Sequence, residues 1–210
     1  MPTATLIAEH LEKRFSGRTL FSGLNLRIER GLVAVAGRNG SGKTTLLKIL
    51  AGLARPSAGS VRIEREGRSL AGQERRLAVG WAGPDLALYG ELTAPENLRF
   101  FRVAAGRGGD PDSLGRRLIE AGLAEEALAR PIEEFSSGMT QRLRVVFAQL
   151  FDPPVLLLDE PMTGLDAAGR AIVQRAVARA REQGAVVLAS NDERDFDGPD
   201  QRIALGGDAT

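Results

Sequence analysis

Apolar side chains recur along this chain in two rhythms, and the order in which the rhythms alternate predicts an α/β fold. Residues 5–10 and 24–28 have strand-like apolar patterning, and Glu29-Arg30-Gly31 turns the chain into Leu32-Val33-Ala34-Val35-Ala36. That last run is continuously apolar and β-branched, as a strand buried on both faces requires. After a glycine-rich break, residues 45–51 repeat apolar positions at helical spacing and stop at Gly52. A turn at 56–59 precedes a short strand at 61–63, and 77–81 is the next predicted strand. From about 93 to 149 the rhythm is helical, through 98–105, 114–121 and 142–150, with breaks at 106–111 and Pro131. Strand patterning returns at 155–158 and 186–189, separated by an Ala- and Arg-rich helix over about 167–183 that Gly184 closes. Strands alternating with helices predict a mostly parallel sheet covered by helices, with about 84–150 as a helical insertion. From Gly198 onward the tail is polar and Gly-rich except at 203–205, and it is expected to fray.

Composition narrows the class. With 210 residues, 43% hydrophobic and 26% charged, the chain can bury one proper core, so residues 1–210 are expected to form a single domain. Lys+Arg 28 against Asp+Glu 27 leaves a net charge of +1, which gives no electrostatic footprint for nucleic acid and no polybasic membrane anchor. The absence of Cys removes disulfides and thiolate metal sites. No apolar run approaches the roughly 20 residues of a membrane helix, and residues 1–10 lack the pattern of a secretion signal. Any membrane role is therefore expected to come through a partner.

The chemistry starts at the glycine-rich break. Gly37-Arg38-Asn39-Gly40-Ser41-Gly42-Lys43-Thr44 fits the phosphate-loop pattern GxxxxGK[ST], with a strand before it and, from Thr45, a helix after it. The glycines permit close backbone approach, and successive N–H groups converge on phosphate oxygens at the positive end of the helix. Lys43 would reach the β- and γ-phosphates, and the Thr44 hydroxyl would bind Mg²⁺. The second motif is Val155-Leu156-Leu157-Leu158-Asp159-Glu160, an interior strand ending in two carboxylates. Ligands of open α/β sheets collect at that strand edge. Asp159 would hold Mg²⁺, and Glu160 would accept a proton from an attacking water. Two solvated acids at a strand end are common, but an upstream phosphate loop in the same pattern favours the catalytic reading.

On these motifs the chain resembles the ATP-binding-cassette (ABC) ATPases over nearly its full length. Phe135-Ser136-Ser137-Gly138-Met139, followed by Thr140-Gln141-Arg142, is similar to the family signature in its Gly-Met-x-Gln-Arg variant. Met162-Thr163-Gly164-Leu165-Asp166 resembles the D-loop, and Phe15 stands where the family stacks an aromatic ring on adenine. The resemblance implies a P-loop NTPase fold with a mostly parallel core sheet, an antiparallel β subdomain and a helical insertion. It also implies a head-to-tail dimer of two copies. In that dimer Ser136, Ser137 and Gly138 approach the ATP held by the other copy, and Asp166 crosses the interface. A transmembrane permease partner and a peripheral place at the cytoplasmic membrane face follow from the same resemblance.

Two departures qualify it. The family's switch histidine position holds Asn191, which can donate a hydrogen bond but cannot become cationic, so hydrolysis is expected to be slowed. The family's Q-loop glutamine is missing, and Pro84-Asp85 stand there. Asp85 either holds a metal-bound water or is a solvated loop residue. Leu86, Leu88, Tyr89 and Leu92 would line the groove that receives the permease. Trp81 and His10, the sole histidine, are read as structural, and Arg130, Arg142 and Arg144 as solvated. The signature variant and residues 91–100 resemble export-type cassettes, including the haem-exporter ATPases of cytochrome c biogenesis. The rival readings are a soluble ABC ATPase without a transporter and an ATP-gated clamp with little turnover.

Overall fold

The computed structural model describes residues 4–15, 17–108 and 111–206. Five strands form one wholly parallel sheet: β3 (Gly31–Gly37), β6 (Val79–Ala82), β7 (Val155–Asp159), β8 (Ala185–Ser190) and β9 (Gln201–Leu205), in the order β6-β7-β8-β3-β9. β7 and β8 are buried along their whole length, which is why they read as unbroken apolar runs. Side chains in β3 alternate between two cores. Val33 and Val35 face a cluster that includes Leu46, Leu50, Leu157 and Val187, whereas Leu32 and Ala34 face Leu156, Leu158, Val186 and Leu188.

Each face of the sheet has its own cover. α1 (Lys43–Ala51) and an antiparallel sheet cover the first. That sheet is built from β1 (Thr5–Phe15), β2 (Arg18–Ile28), β4 (Ala58–Arg65) and β5 (Arg68–Ser69), in the order β2-β1-β4-β5. Its buried Leu6, Leu26, Ile28 and Ile63 close the same core. The other face is covered by α5 (Ser137–Ala148) and α6 (Ala167–Gln183) through Val145, Val173 and Val177. A third core joins α3 (Ala94–Ala104), α4 (Pro111–Glu120) and the far side of α5, through Leu98, Leu118, Leu143 and Val146. α5 thus belongs to two cores at once.

The structure departs from the sequence reading at four places. The strands expected at 5–10 and 24–28 are parts of one long hairpin, bent where register shifts between Ala8 and Leu11; His10 sits at that shift with φ 49 and is exposed. The strand expected at 77–81 begins later, because Gly72–Leu77 form a short helix, α2. Arg142 and Arg144 are not simply solvated: Arg142 donates to the carbonyls of Gly138 and Gly122, and Arg144 donates to Gln141. The tail does not fray at 201–205, where β9 pairs in parallel with β3; residues 207–210 lie outside the described residues. Asp200 locks that pairing by accepting from the Leu32 N–H at 2.7 Å and from Arg181 at 2.9 Å. Trp81, as expected, packs against the first core.

Candidate active site at the strand edge

The phosphate loop leaves the C-terminal end of β3 and runs into α1. Gly42 caps that helix with φ 102 and offers no side chain, and the first turn carries no acidic residue. The N–H groups of that turn have no intrahelical acceptors, so the helix end is open to an anion. Gly37 is required sterically, since a Cβ there would stand 2.5 Å from both the Leu205 carbonyl and Ser41 Oγ. Gly40, at φ 78, holds the left-handed turn that Arg38 and Asn39 lead into. Leu20 and Phe21 of β2 lie beside Gly42 and bring the hairpin against the loop.

Lys43 is buried, and its ammonium donates to the Gly37 carbonyl at 2.7 Å while lying 3.4 Å from Glu160 Oε1. Thr44 donates its hydroxyl to Asp159 Oδ2 at 2.6 Å, and Thr45 continues the first turn. Asp159 is 1% exposed, and its Oδ1 is buried without a hydrogen-bond partner. Burial pushes its carboxyl pKa up, the Thr44 hydroxyl works against this, and the nearby Glu160 charge adds to it.

Glu160 stands just past the end of β7 with φ 50, a backbone region that non-glycine residues seldom occupy. Its N–H donates to the Ala189 carbonyl, and its own carbonyl accepts from Gln141 Nε2 at 3.1 Å. Oε2 lies 3.4 Å from the hydroxyls of Thr163 and Ser190. Ser190 donates at 2.6 Å to the buried Asp195, which is ion-paired to Arg170. Asn191 donates to Asn39 Oδ1 at 3.2 Å and so ties the end of β8 to the loop.

These side chains fit a hard divalent cation. An anionic oxygen is buried without a partner beside a hydroxyl, and all the donors are oxygens. Among the described residues no cluster of three His, Cys, Asp or Glu forms a closed cage. That suits Mg²⁺, which takes few protein oxygens and fills the rest of its shell from phosphate and water. Asp85 is ion-paired to Lys48 of α1 at 2.7 Å, an arrangement that neither of its two expected roles included.

The structure thus brings together Lys43, Thr44, Asp159, Glu160 and Asn191. It does not join Phe15, Ser136, Ser137, Gly138 or Asp166 to the loop by any hydrogen bond or ion pair. Phe15 is half exposed, with the Lys13 ammonium 4.6 Å from its ring centre. Ser136 caps α5 by accepting from the Met139 N–H, and Gly138 faces Leu165 and Gly164. Asp166 caps α6 by accepting from the Gly169 N–H at 2.7 Å. Sequence reasoning missed Gln141 and Ser190 as neighbours of Glu160, and Asp195 and Arg170 behind Ser190. Gln141 lay inside a quoted motif, but nothing in its spacing pointed at Glu160. A cavity of about 810 Å³ lies elsewhere, at the opposite strand edge between α4, α5 and α6, and has no part in this site.

The family profile described as ABC transporter matches residues 21–163. The chain is 37% identical over 200 residues to the daunorubicin resistance ATP-binding protein DrrA3 of Streptomyces coeruleorubidus, covering 90% of this chain and 60% of that protein. It is 36% identical over 179 residues to the cytochrome c biogenesis ATP-binding export protein CcmA of Salmonella typhi, covering 84% and 83% of the two chains. Among solved structures, the dimeric structure of MJ0796, a bacterial ABC transporter cassette, matches with a TM-score of 0.82 at 24% identity over 95% of this chain and 94% of that one. At that identity the likeness is one of fold.

Proposed function

Since the chain belongs to the ABC transporter family, whose cassettes bind and hydrolyse ATP, we propose that it is the ATP-hydrolysing subunit of an exporter. In this reading residues 1–210 form one cassette, with about 84–150 as its helical insertion. It works as a head-to-tail pair of copies on the cytoplasmic face of a membrane, beneath a separate permease. No helix among the described residues is long and apolar enough to cross a membrane. The export direction is supported by relatives such as the cytochrome c biogenesis ATP-binding export protein CcmA, and the pairing by dimeric cassettes of the same fold.

One observation carries the catalytic reading: Lys43, Thr44, Asp159 and Glu160 converge at a single strand edge, and the buried Asp159 oxygen there has no partner. The loop N–H groups and Lys43 hold the β- and γ-phosphates, while Phe15 stacks on the base. Glu160 takes a proton from the water that attacks the γ-phosphorus, and the bridging oxygen leaves with ADP. Thr44 and Asp159 would hold Mg²⁺, with Asp85 as a further candidate ligand through water, and the ion would supply positive charge to the phosphate oxygens. Ser136, Ser137 and Gly138 complete the site of the other copy, and Asp166 lies between the two.

A phosphate-release assay on wild type and Glu160→Gln tests the enzyme. Wild type is expected to exceed the variant by about 100-fold or more. Equal rates would instead support the ATP-gated clamp, a reading favoured by the engagement of Asn191 with Asn39. Size-exclusion chromatography of Glu160→Gln with ATP tests the pairing, and a shift to dimer is expected.

A further inference from the structure

Glu160 is clamped at both of its backbone polar groups. Its left-handed φ of 50 is unusual for a residue with a Cβ, and such a conformation persists only where the surroundings over-determine it. On one side the N–H is bonded to Ala189 of β8. On the other the carbonyl accepts from the Thr163 N–H at 3.3 Å and, at a shorter 3.1 Å, from the side chain of Gln141, which is itself buried in α5. The Gln141 amide has a fixed orientation: Arg144 Nη1 donates to its Oε1 at 3.3 Å, so the NH₂ end must face Glu160.

We propose that Gln141 is a positioning residue for the hydrolytic step. It holds Glu160 in the left-handed conformation that aims the carboxylate at the Lys43 ammonium, 3.4 Å away. Its placement makes that aim depend on α5. Gln141 lies about one turn inside the helix that Ser136 caps. A 12-residue helix packed into two cores moves as a rigid body, so its first turn cannot shift without carrying Gln141. Resting on the head-to-tail pairing proposed above, nucleotide held by the other copy at Ser136–Gly138 is thereby coupled to this chain's own Glu160. The two sites of a pair then report to one another through Gln141, at the level of turnover rather than of ATP affinity.

Gln141→Met tests this, because it keeps the length and burial of the side chain and deletes only the amide. Expected are a fall in kcat of about 10- to 100-fold, a KM and a fluorescent-ATP Kd within about twofold of wild type, and a Hill coefficient reduced toward one. Placed on Glu160→Gln, Gln141→Met should change neither the residual turnover nor the ATP-driven dimer. Gln141→Glu is the second variant; it retains the acceptor for Arg144 but presents an oxygen to the Glu160 carbonyl, and it should lose at least as much kcat. Wild-type kcat in both variants would overturn the proposal. So would parallel loss of kcat, ATP binding and thermal stability, which would make Gln141 merely structural. Failure of Glu160→Gln alone to dimerise would instead overturn the pairing and the coupling that rests on it, leaving kcat to decide the positioning role.

Discussion

At Asp159 a carboxylate is buried with one oxygen bonded and the other bare. Its folded pKa lies above the ordinary value, mainly through desolvation. The fold therefore penalises the charged form relative to the unfolded chain. Its contribution to stability is present below the unfolded pKa and is lost as pH rises through the folded value. At neutral pH the apo chain bears that cost, and Asp159→Asn should relieve it. We expect the apo Tm of Asp159→Asn to rise by about 2–4 °C, while Mg²⁺ no longer strengthens ATP binding. Scanning fluorimetry with and without Mg²⁺ and ATP checks both, and a lowered apo Tm would contradict the first. At Asn191 the amide already bridges to the loop. Asn191→His is expected to raise kcat severalfold, since an imidazole adds a group that can carry charge beside the γ-phosphate. An unchanged or lower rate would show that the asparagine is not what limits turnover. Lys43, Thr44, Asp159 and Glu160 were legible in the sequence because their motifs fix spacing along the chain. The frame around Glu160 was not, because Gln141 and Ser190, the latter backed by Asp195, reach it only through tertiary contact.

Among the elements, α3 shows how local sequence sets an end. Thr93 accepts from the Glu96 N–H, and Glu96 accepts from the Thr93 N–H, a reciprocal capping box with Pro95 in the first turn. The interactions with Thr93 hold the Glu96 carboxyl below the usual range. Thr93→Ala should cost about 1 kcal/mol and lower Tm by about 2–4 °C. Catalysis should be nearly unaffected, as α3 adds no side chain to the strand edge. Behind the cap, the buried Asn97 accepts from the Tyr89 N–H and donates to three carbonyls, fixing the loop that follows Asp85. Buried strands β7 and β8 and the long helix α6 were readable from periodicity. The short helix α2 was not, because six residues give too little period to distinguish from a strand approach. β9 was legible only as a weak apolar triplet, since edge strands bury one side and read as half polar.

For the whole molecule, two of the three cores meet at α5, and the site lies where the parallel sheet presents its C-terminal edge to α1 and α5. Alternating strands and helices were enough to infer that sheet, whereas the antiparallel sheet beside it came from resemblance. β9 also closes the phosphate loop, because the Leu205 carbonyl packs against Gly37 from below. A chain ending at Asp200 should therefore lose ATP binding and most of its cooperative unfolding, as read by fluorescent-ATP titration and calorimetry. Retained nanomolar or micromolar binding would show that β9 is dispensable. The same packing has a consequence during synthesis. The loop is translated early, but its floor is made more than 160 residues later. A nascent chain on the ribosome must expose a half-built phosphate site until residue 205 clears the exit tunnel. ATP binding is then expected to follow the placement of β9 rather than to guide folding of the early segment.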